Sequence, residues 1–252
     1  MAGGRAGHAA LPGVPELLRC ARALCIPARV PEPFWGRIGR AAGVAGGQRR
    51  PLSAAEIQGF VDAYDRDIAY VDAQLGVLFA ELERRGQLKR TQVVVTSDHG
   101  EEFGEHGKLG HGFGVTLPLL HVPLVVVHPS LPAGLRVSQA VTLTDLAATV
   151  MEFVGVRDHP FPGRSWSRYW DPGPAPATSE PVFSESIGHE SAGRTSVLLG
   201  DWHYIVGRRQ QLFNVAADPT EQFDRFATAD PEVLKPLVAA LGQFTNRDSA
   251  RP

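Results

Sequence analysis

The sequence predicts an α/β domain followed by a smaller α+β subdomain. Three observations predict it: a long helical apolar period from Ser53, two β-branched apolar runs flanking a glycine-rich loop, and a proline-rich break at 158–181 followed by short strand-like runs. A chain of 252 residues is long enough for one main domain and a smaller companion.

The first fifty residues stand apart. They contain eight arginines, five prolines and only two acids, Glu16 and Glu32, which suits a loosely structured arm. A transit peptide is usually serine-rich as well, and this stretch has no serine, so it is read as an irregular extension rather than a targeting signal. At Ser53-Ala-Ala-Glu56 a capping box opens a helix whose apolar stripe runs through Ile57, Phe60, Val61, Tyr64, Ile68, Val71, Leu75, Leu78, Phe79 and Leu82. Gly86 closes it, and Arg84 and Arg85 suit the negative end of its dipole. Thr91–Thr96 and Val122–His128 read as buried strands of parallel type, with Pro123 tolerable near the start of the second. Between Thr142 and Gly155 a second helix is expected, with Leu143, Leu146, Ala147, Val150, Met151 and Val154 on its apolar stripe.

Six prolines make 158–181 a connector. Beyond it, Thr195–Leu199 and Trp202–Val206 are separated by Gly200-Asp201, the spacing of a β-hairpin. Leu212–Val215 adds a third strand, and Pro231 opens a last helix through Val233, Leu234, Leu237, Leu241 and Phe244.

Composition excludes several classes. Twenty-five basic and 27 acidic residues give a net charge of -2, so no global field draws the chain to nucleic acid or to an anionic membrane, and neither is expected as a partner. The two cysteines, Cys20 and Cys25, exclude a disulfide scaffold. Neither a signal peptide nor a membrane span is visible, and compartment and oligomeric state stay open.

Chemistry concentrates in Thr96-Ser-Asp98-His99-Gly100-Glu101-Glu102-Phe-Gly-Glu105-His106-Gly-Lys108-Leu-Gly-His111-Gly112. An aspartate and a histidine at the C-terminal end of a strand, followed by glycine, stand where open α/β sheets place ligands. A sharp turn at Gly100 lets a carboxylate oxygen and an imidazole nitrogen converge on one ion, and the later glycines let His106 or His111 swing back toward it. The same tripeptide is also ordinary turn chemistry, and spacing alone leaves the two readings level. Glu101, Glu102 and Glu105 read as a solvated face. His121 and His128 read as structural histidines, and His8, His159, His189 and His203 receive no role.

Tyr64-Asp65-Arg-Asp67-Ile68, Val94-Val-Thr-Ser-Asp98-His99-Gly100-Glu101, Gly104-Glu-His-Gly107, Gly110-His111-Gly112 and His121-Val-Pro-Leu124 resemble the second half of a sulfatase, a family of the alkaline phosphatase superfamily. The resemblance runs from about Pro31 into the hairpin, and Leu212-Phe-Asn-Val-Ala-Ala-Asp218-Pro-Thr-Glu221-Gln222 is similar to the tail of the family's C-terminal subdomain. It implies a partial alkaline-phosphatase-like sandwich. It also implies a divalent cation with Asp98 and His99 as ligands, and no other cofactor-binding residue. Many sulfatases carry asparagine at the second position and use calcium. Imidazole fits calcium poorly and borderline metals better, so His99 leaves manganese, zinc and calcium all possible, with calcium or manganese expected ahead of zinc. His111 falls where the family often has a lysine that contacts the transferred group and the leaving oxygen, which implies a catalytic role, either donating a proton to the leaving alkoxide or a hydrogen bond to a sulfuryl oxygen.

The departures shape the functional expectation. The family's first strand, with two further acidic ligands and the nucleophile, has no counterpart before residue 50. Cys25-Ile-Pro27-Ala-Arg29 does fit the Cys-x-Pro-x-Arg motif that sulfatases convert to a formylglycine nucleophile. Against it stand the lone upstream acid Glu16, the missing Leu-Thr-Gly continuation, and Pro31-Glu-Pro-Phe34, which resembles a later family segment. The expected organisation is therefore an extension (1–30), the rear portion of a sulfatase-type catalytic domain (31–157), a connector (158–180) and an α+β subdomain (181–252). The expected function is metal-dependent hydrolysis of a sulfate ester, on a small molecule or glycan, incomplete in this chain alone. The alternatives are a phosphate or phosphonate ester hydrolase and an inactive metal-binding fragment.

Overall fold

The computed structural model describes residues 52–248 except 113, 130, 132–133, 171–178 and 187–192. The N-terminal extension, Cys20, Cys25 and Pro31–Phe34 lie outside the described residues. The chain divides into two compact units, Met1–Gly86 and Gln87–Pro252.

Helix α1, Ala54–Arg84, makes up most of the described part of the first unit. Its capping box is reciprocal. The Glu56 amide donates to Ser53 Oγ at 3.3 Å, and the Ser53 amide donates to Glu56 Oε2 at 2.9 Å, so two otherwise unpaired donors of the first turn are satisfied. Gly86 ends the helix at φ 65°, a conformation that favours glycine. Arg84 and Arg85 both grip Glu81, at 2.6 to 2.7 Å, and their hydrogen bonds hold its carboxyl down to about 2. The apolar stripe buries Phe60 and Leu82, together with Ala63, but leaves Ile68 and Val71 more than half exposed.

The second unit opens with β1, Val93–Thr96. After it come the two-residue strands β2, Glu102–Phe103, and β3, Leu109–Gly110, the short helix α2, Leu117–Leu120, and β4, Leu124–Val127. β1 and β4 pair antiparallel, Val93 opposite Val127 and Thr96 opposite Leu124. This corrects the expected parallel arrangement. Parallel neighbours need a crossover over the sheet face, usually a long helix, whereas residues 97–123 hold a small hairpin and one helical turn, after which the chain runs back beside β1. The strands are also less buried than expected: β1 is half-buried throughout, and Val125 and Val127 of β4 are exposed.

Helix α3, Asp145–Phe153, is shorter than expected and turned away from its apolar stripe. Its buried residues are Asp145, Ala148 and Thr149, while Val154 is exposed. The reason is polar. Asp145 Oδ1 accepts from the Arg164 amide at 2.9 Å, Asp145 Oδ2 accepts from Arg168 at 2.6 Å, and Thr149 Oγ1 accepts from the Trp166 amide at 2.9 Å, so the connector folds back over that face.

The C-terminal sheet is an antiparallel meander, β5 (Val182–Ser186), β6 (Arg194–Leu199), β7 (Trp202–Val206) and β8 (Gln210–Asn214), in the order β5-β6-β7-β8. Of these, β5 has no counterpart in the strand-like runs of the sequence. Helix α4, Pro231–Asp248, packs on one face around Val197, Tyr204, Leu212, Leu237 and Leu241. On the other face Ile205 and Phe213 pack with Val115, which lies between β3 and α2, and this cluster ties the sheet to the loops after β1.

Candidate active site

The site hangs from the end of β1. Gly100 makes the turn there for want of space rather than of φ: its amide donates to the Leu119 carbonyl at 2.7 Å, and a Cβ would lie 2.1 Å from the Pro118 carbonyl oxygen. The preceding Asp98 projects outward, its side chain 86% exposed, and Asp98 Oδ1 accepts from the His99 amide at 3.0 Å. The His99 imidazole beside it holds its carboxyl below the usual aspartate value. Because a carbonyl oxygen only accepts, His99 Nδ1–H is the donor to the Gly100 carbonyl at 3.0 Å, and Nε2, 3.7 Å from Asp98 Oδ2, is the nitrogen left to face a ligand.

His111 closes on this pair from beyond β3. Its ring centroid lies 3.9 Å from that of His99 at an interplanar angle of 45°. Its Nδ1 is 3.1 Å from Oε2 of Glu101, whose side chain is 6% exposed and whose other oxygen has no hydrogen-bond partner among the described residues. Asp98, His99 and His111 all line one open cavity of about 1580 Å³, which also reaches His121, Trp170 and Glu180.

The three acids of the loop are not a solvated face. Glu102 is fully buried; Oε1 accepts from Thr116 Oγ1 at 2.8 Å and lies 2.8 Å from His106 Nδ1. Glu101 turns in to His111, and Glu105 accepts from the Phe103 amide. The signal in the sequence is the four-residue spacing of Glu102 and His106 inside a glycine-rich loop. His203, given no role from sequence, is 1% exposed and its Nδ1 bonds Glu221 Oε1; eighteen positions separate the pair, and no local pattern joins them. His128 stacks on Phe153 at 4.3 Å, as a structural histidine would, whereas His121 is exposed.

The donor set fits a divalent cation in part. Asp98 offers an exposed carboxylate, and His99 an imidazole with its other nitrogen tied off, the usual condition of a metal-binding histidine. Among the described residues no group of three or more histidines, cysteines or acids is placed to hold a metal.

The fold is that of the alkaline-phosphatase-like enzymes, a mixed α/β class. The family model described as Sulfatase matches residues 31–156, and arylsulfatase K of Bos taurus is 30% identical over 211 residues, 76% of this chain and 37% of its own length. The chain belongs to the sulfatase family. It thus spans well under half the length of that curated relative. BT4656, solved with its substrate D-glucosamine-2-N,6-O-disulfate, is similar at a TM-score of 0.68 and 22% identity, over 87% of this chain and 47% of its own. The phosphonate monoester hydrolase of Agrobacterium radiobacter is similar at a TM-score of 0.65 and 25% identity, over 78% of this chain and 43% of its own. The family is generally metal-dependent.

Proposed function

We propose that residues 31–157 are the rear portion of a sulfatase-type catalytic domain, with 158–180 as connector and 181–252 as its subdomain, and that the chain contributes the metal-binding and leaving-group side of a sulfate ester hydrolase. The observation that carries this reading is the convergence of Asp98, His99 and His111 on one cavity at the end of β1. Asp98 and His99 would hold a divalent cation, calcium or manganese ahead of zinc, and that ion would supply Lewis-acid stabilisation of negative charge on the transferred group. Glu101 orients His111, which donates a hydrogen bond or a proton to the leaving oxygen. The walls take a small sulfate ester or a sulfated glycan, as the disulfated glucosamine complex of BT4656 suggests.

Phosphonate or phosphate ester hydrolysis is the second reading. His99 in place of asparagine favours it, as does the similarity to a phosphonate monoester hydrolase. Titration calorimetry with manganese, calcium and zinc, followed by competition between phenyl sulfate and the phenyl methylphosphonate monoanion, tests both. Metal binding abolished in Asp98→Ala and in His99→Ala, with phenyl sulfate bound more tightly, supports the first reading. Preference for the phosphonate supports the second, and undiminished metal binding in Asp98→Ala removes the site.

A further inference from the structure

The described residues contain two non-glycine residues at positive φ, His106 at 56° and Glu221 at 55°, and they meet in one hydrogen bond. His106 Nε2 lies 2.8 Å from the Glu221 backbone oxygen, and its Nδ1 lies 2.8 Å from Glu102 Oε1. A carbonyl oxygen has no hydrogen to give, so Nε2–H donates. Glu102 Oε1 already accepts from Thr116, and an ionised carboxylate also only accepts. With Glu102 ionised, both ring nitrogens carry hydrogen and the ring is an imidazolium. Fully buried Glu102 then has its counter-charge beside it, as a buried carboxylate requires.

The same strained turn is held from its other side. Glu221 is 1% exposed; its Oε1 accepts from His203 Nδ1–H, and its Oε2 accepts from the Leu117 amide at 2.8 Å, at the first residue of α2. Asp218, three residues earlier, accepts from the Gln222 and Phe223 amides and fixes the turn itself. A chain of buried polar groups therefore runs from β7 through Glu221 to both ends of the segment that carries His111. Strained backbone persists where its surroundings over-determine it, and here both strained residues sit inside one network.

We propose that His106 is a positioning residue: as an imidazolium it clasps the β2–β3 hairpin to the Asp218–Glu221 turn, and so sets where His111 stands against His99. The other charged groups near it are the Glu221 carboxylate, which is bonded to His203, and Lys108, which feels Glu102 and Arg194. The hydrogen bond that His106 donates to Glu102 raises the pKa of His106 against the lowering effect of burial, which agrees with the protonated ring. The proposal rests on the reading of His111 given above, yet its test reads the place of His111 and not turnover, so the two fail separately.

Imidazole nitrogen resonances of the full chain, followed from pH 6 to 9, are the direct test. Both nitrogens of His106 protonated at pH 7, and the ring deprotonating above free histidine, is the expected result; one protonated nitrogen at pH 7 puts the proton on Glu102 and overturns the clasp. His106→Asn, chosen because asparagine tolerates positive φ, is expected to stay folded by circular dichroism while the nuclear Overhauser effect between the His99 and His111 rings disappears. Persistence of that effect in the folded variant reduces His106 to a stabilising role and overturns the proposal. Should His106→Asn not fold, Glu102→Gln removes the counter-charge at constant shape: a singly protonated His106 with no Overhauser effect between His99 and His111 supports the clasp, and an unchanged effect refutes it.

Discussion

The rings of His99 and His111 lie 3.9 Å apart although they are twelve positions apart in a chain that passes through two short strands and four glycines between them, and each has its Nδ1 against an oxygen, the Gly100 carbonyl for one and Glu101 for the other. A backbone carbonyl and a buried carboxylate thus aim the two imidazoles independently. Displacing either support changes what the cavity presents at its floor.

Gly100 is the first such support. Gly100→Ala puts a methyl group 2.1 Å from the Pro118 carbonyl oxygen, a clash that backbone on both sides cannot relieve by rotation. We expect a loss of stability on the order of 1 to 3 kcal/mol, the usual cost of overpacking, together with weaker metal binding. Denaturant titration and calorimetry of the same variant measure the two effects.

The start of α1 gives a simpler expectation. Ser53→Ala removes the acceptor of the Glu56 amide, and the loss is about 1 kcal/mol of helix stability. An unchanged denaturant midpoint would count against the cap's contribution.

His106 makes stability depend on pH with a definite sign. Its folded pKa is raised above 6.5, by the Glu102 hydrogen bond first, so between 6.5 and the folded value the native chain binds more protons than the unfolded chain. The stability from this pairing is complete below about 6.5 and disappears as pH rises through the folded pKa. The stability difference between the natural protein and His106→Asn, measured by urea titration at pH 6, 7, 8 and 9, should shrink steadily upward. A difference constant across that range would contradict the shift.

Turnover depends on a nucleophile. No cysteine is among the described residues, and a cation bound at Asp98 and His99 would polarise an ester without positioning an attacker, an advantage worth roughly 7 to 11 kcal/mol when present. We expect no hydrolysis of aryl sulfate or aryl phosphate by the chain as isolated above a metal-only blank. Coexpression with a formylglycine-generating enzyme tests the alternative: an aldehyde at Cys25 with activity that Cys25→Ala abolishes would make that cysteine the nucleophile.

How much of the molecule is legible in its sequence varies with range. The Ser53–Glu56 cap, the Gly86 stop and the Gly200-Asp201 hairpin are local devices, and each stands where its residues place it. The β1–β4 pairing escapes a sequence reading because periodicity reports burial and not strand direction; direction follows from the connection, whose short helix α2 gives no usable signal. The stripe on α3 misleads because Asp145 and Thr149 are buried for hydrogen bonding, which an apolar pattern does not register. Asp98, His99 and His111 are visible as a motif, and the structure brings them to one cavity. The partnership of His106 with Glu221 spans 115 residues, and nothing in either local pattern announces it.

The two halves of the cavity floor differ in how firmly they are anchored. Asp98 and His99 continue a ladder of only two four-residue strands, half-buried at best, whereas His106 and the approach to His111 are fastened to a four-stranded sheet backed by α4. A two-stranded ladder is marginal by itself and opens at lower free energy than a sheet with a packed core. Amide protons of Val93–Thr96 should therefore exchange with solvent through local opening, while those of β6 and β7 wait for global unfolding. Each such opening would carry Asp98 and His99 away from a His111 that stays in place, so the lifetime of the assembled floor is set by the weaker sheet.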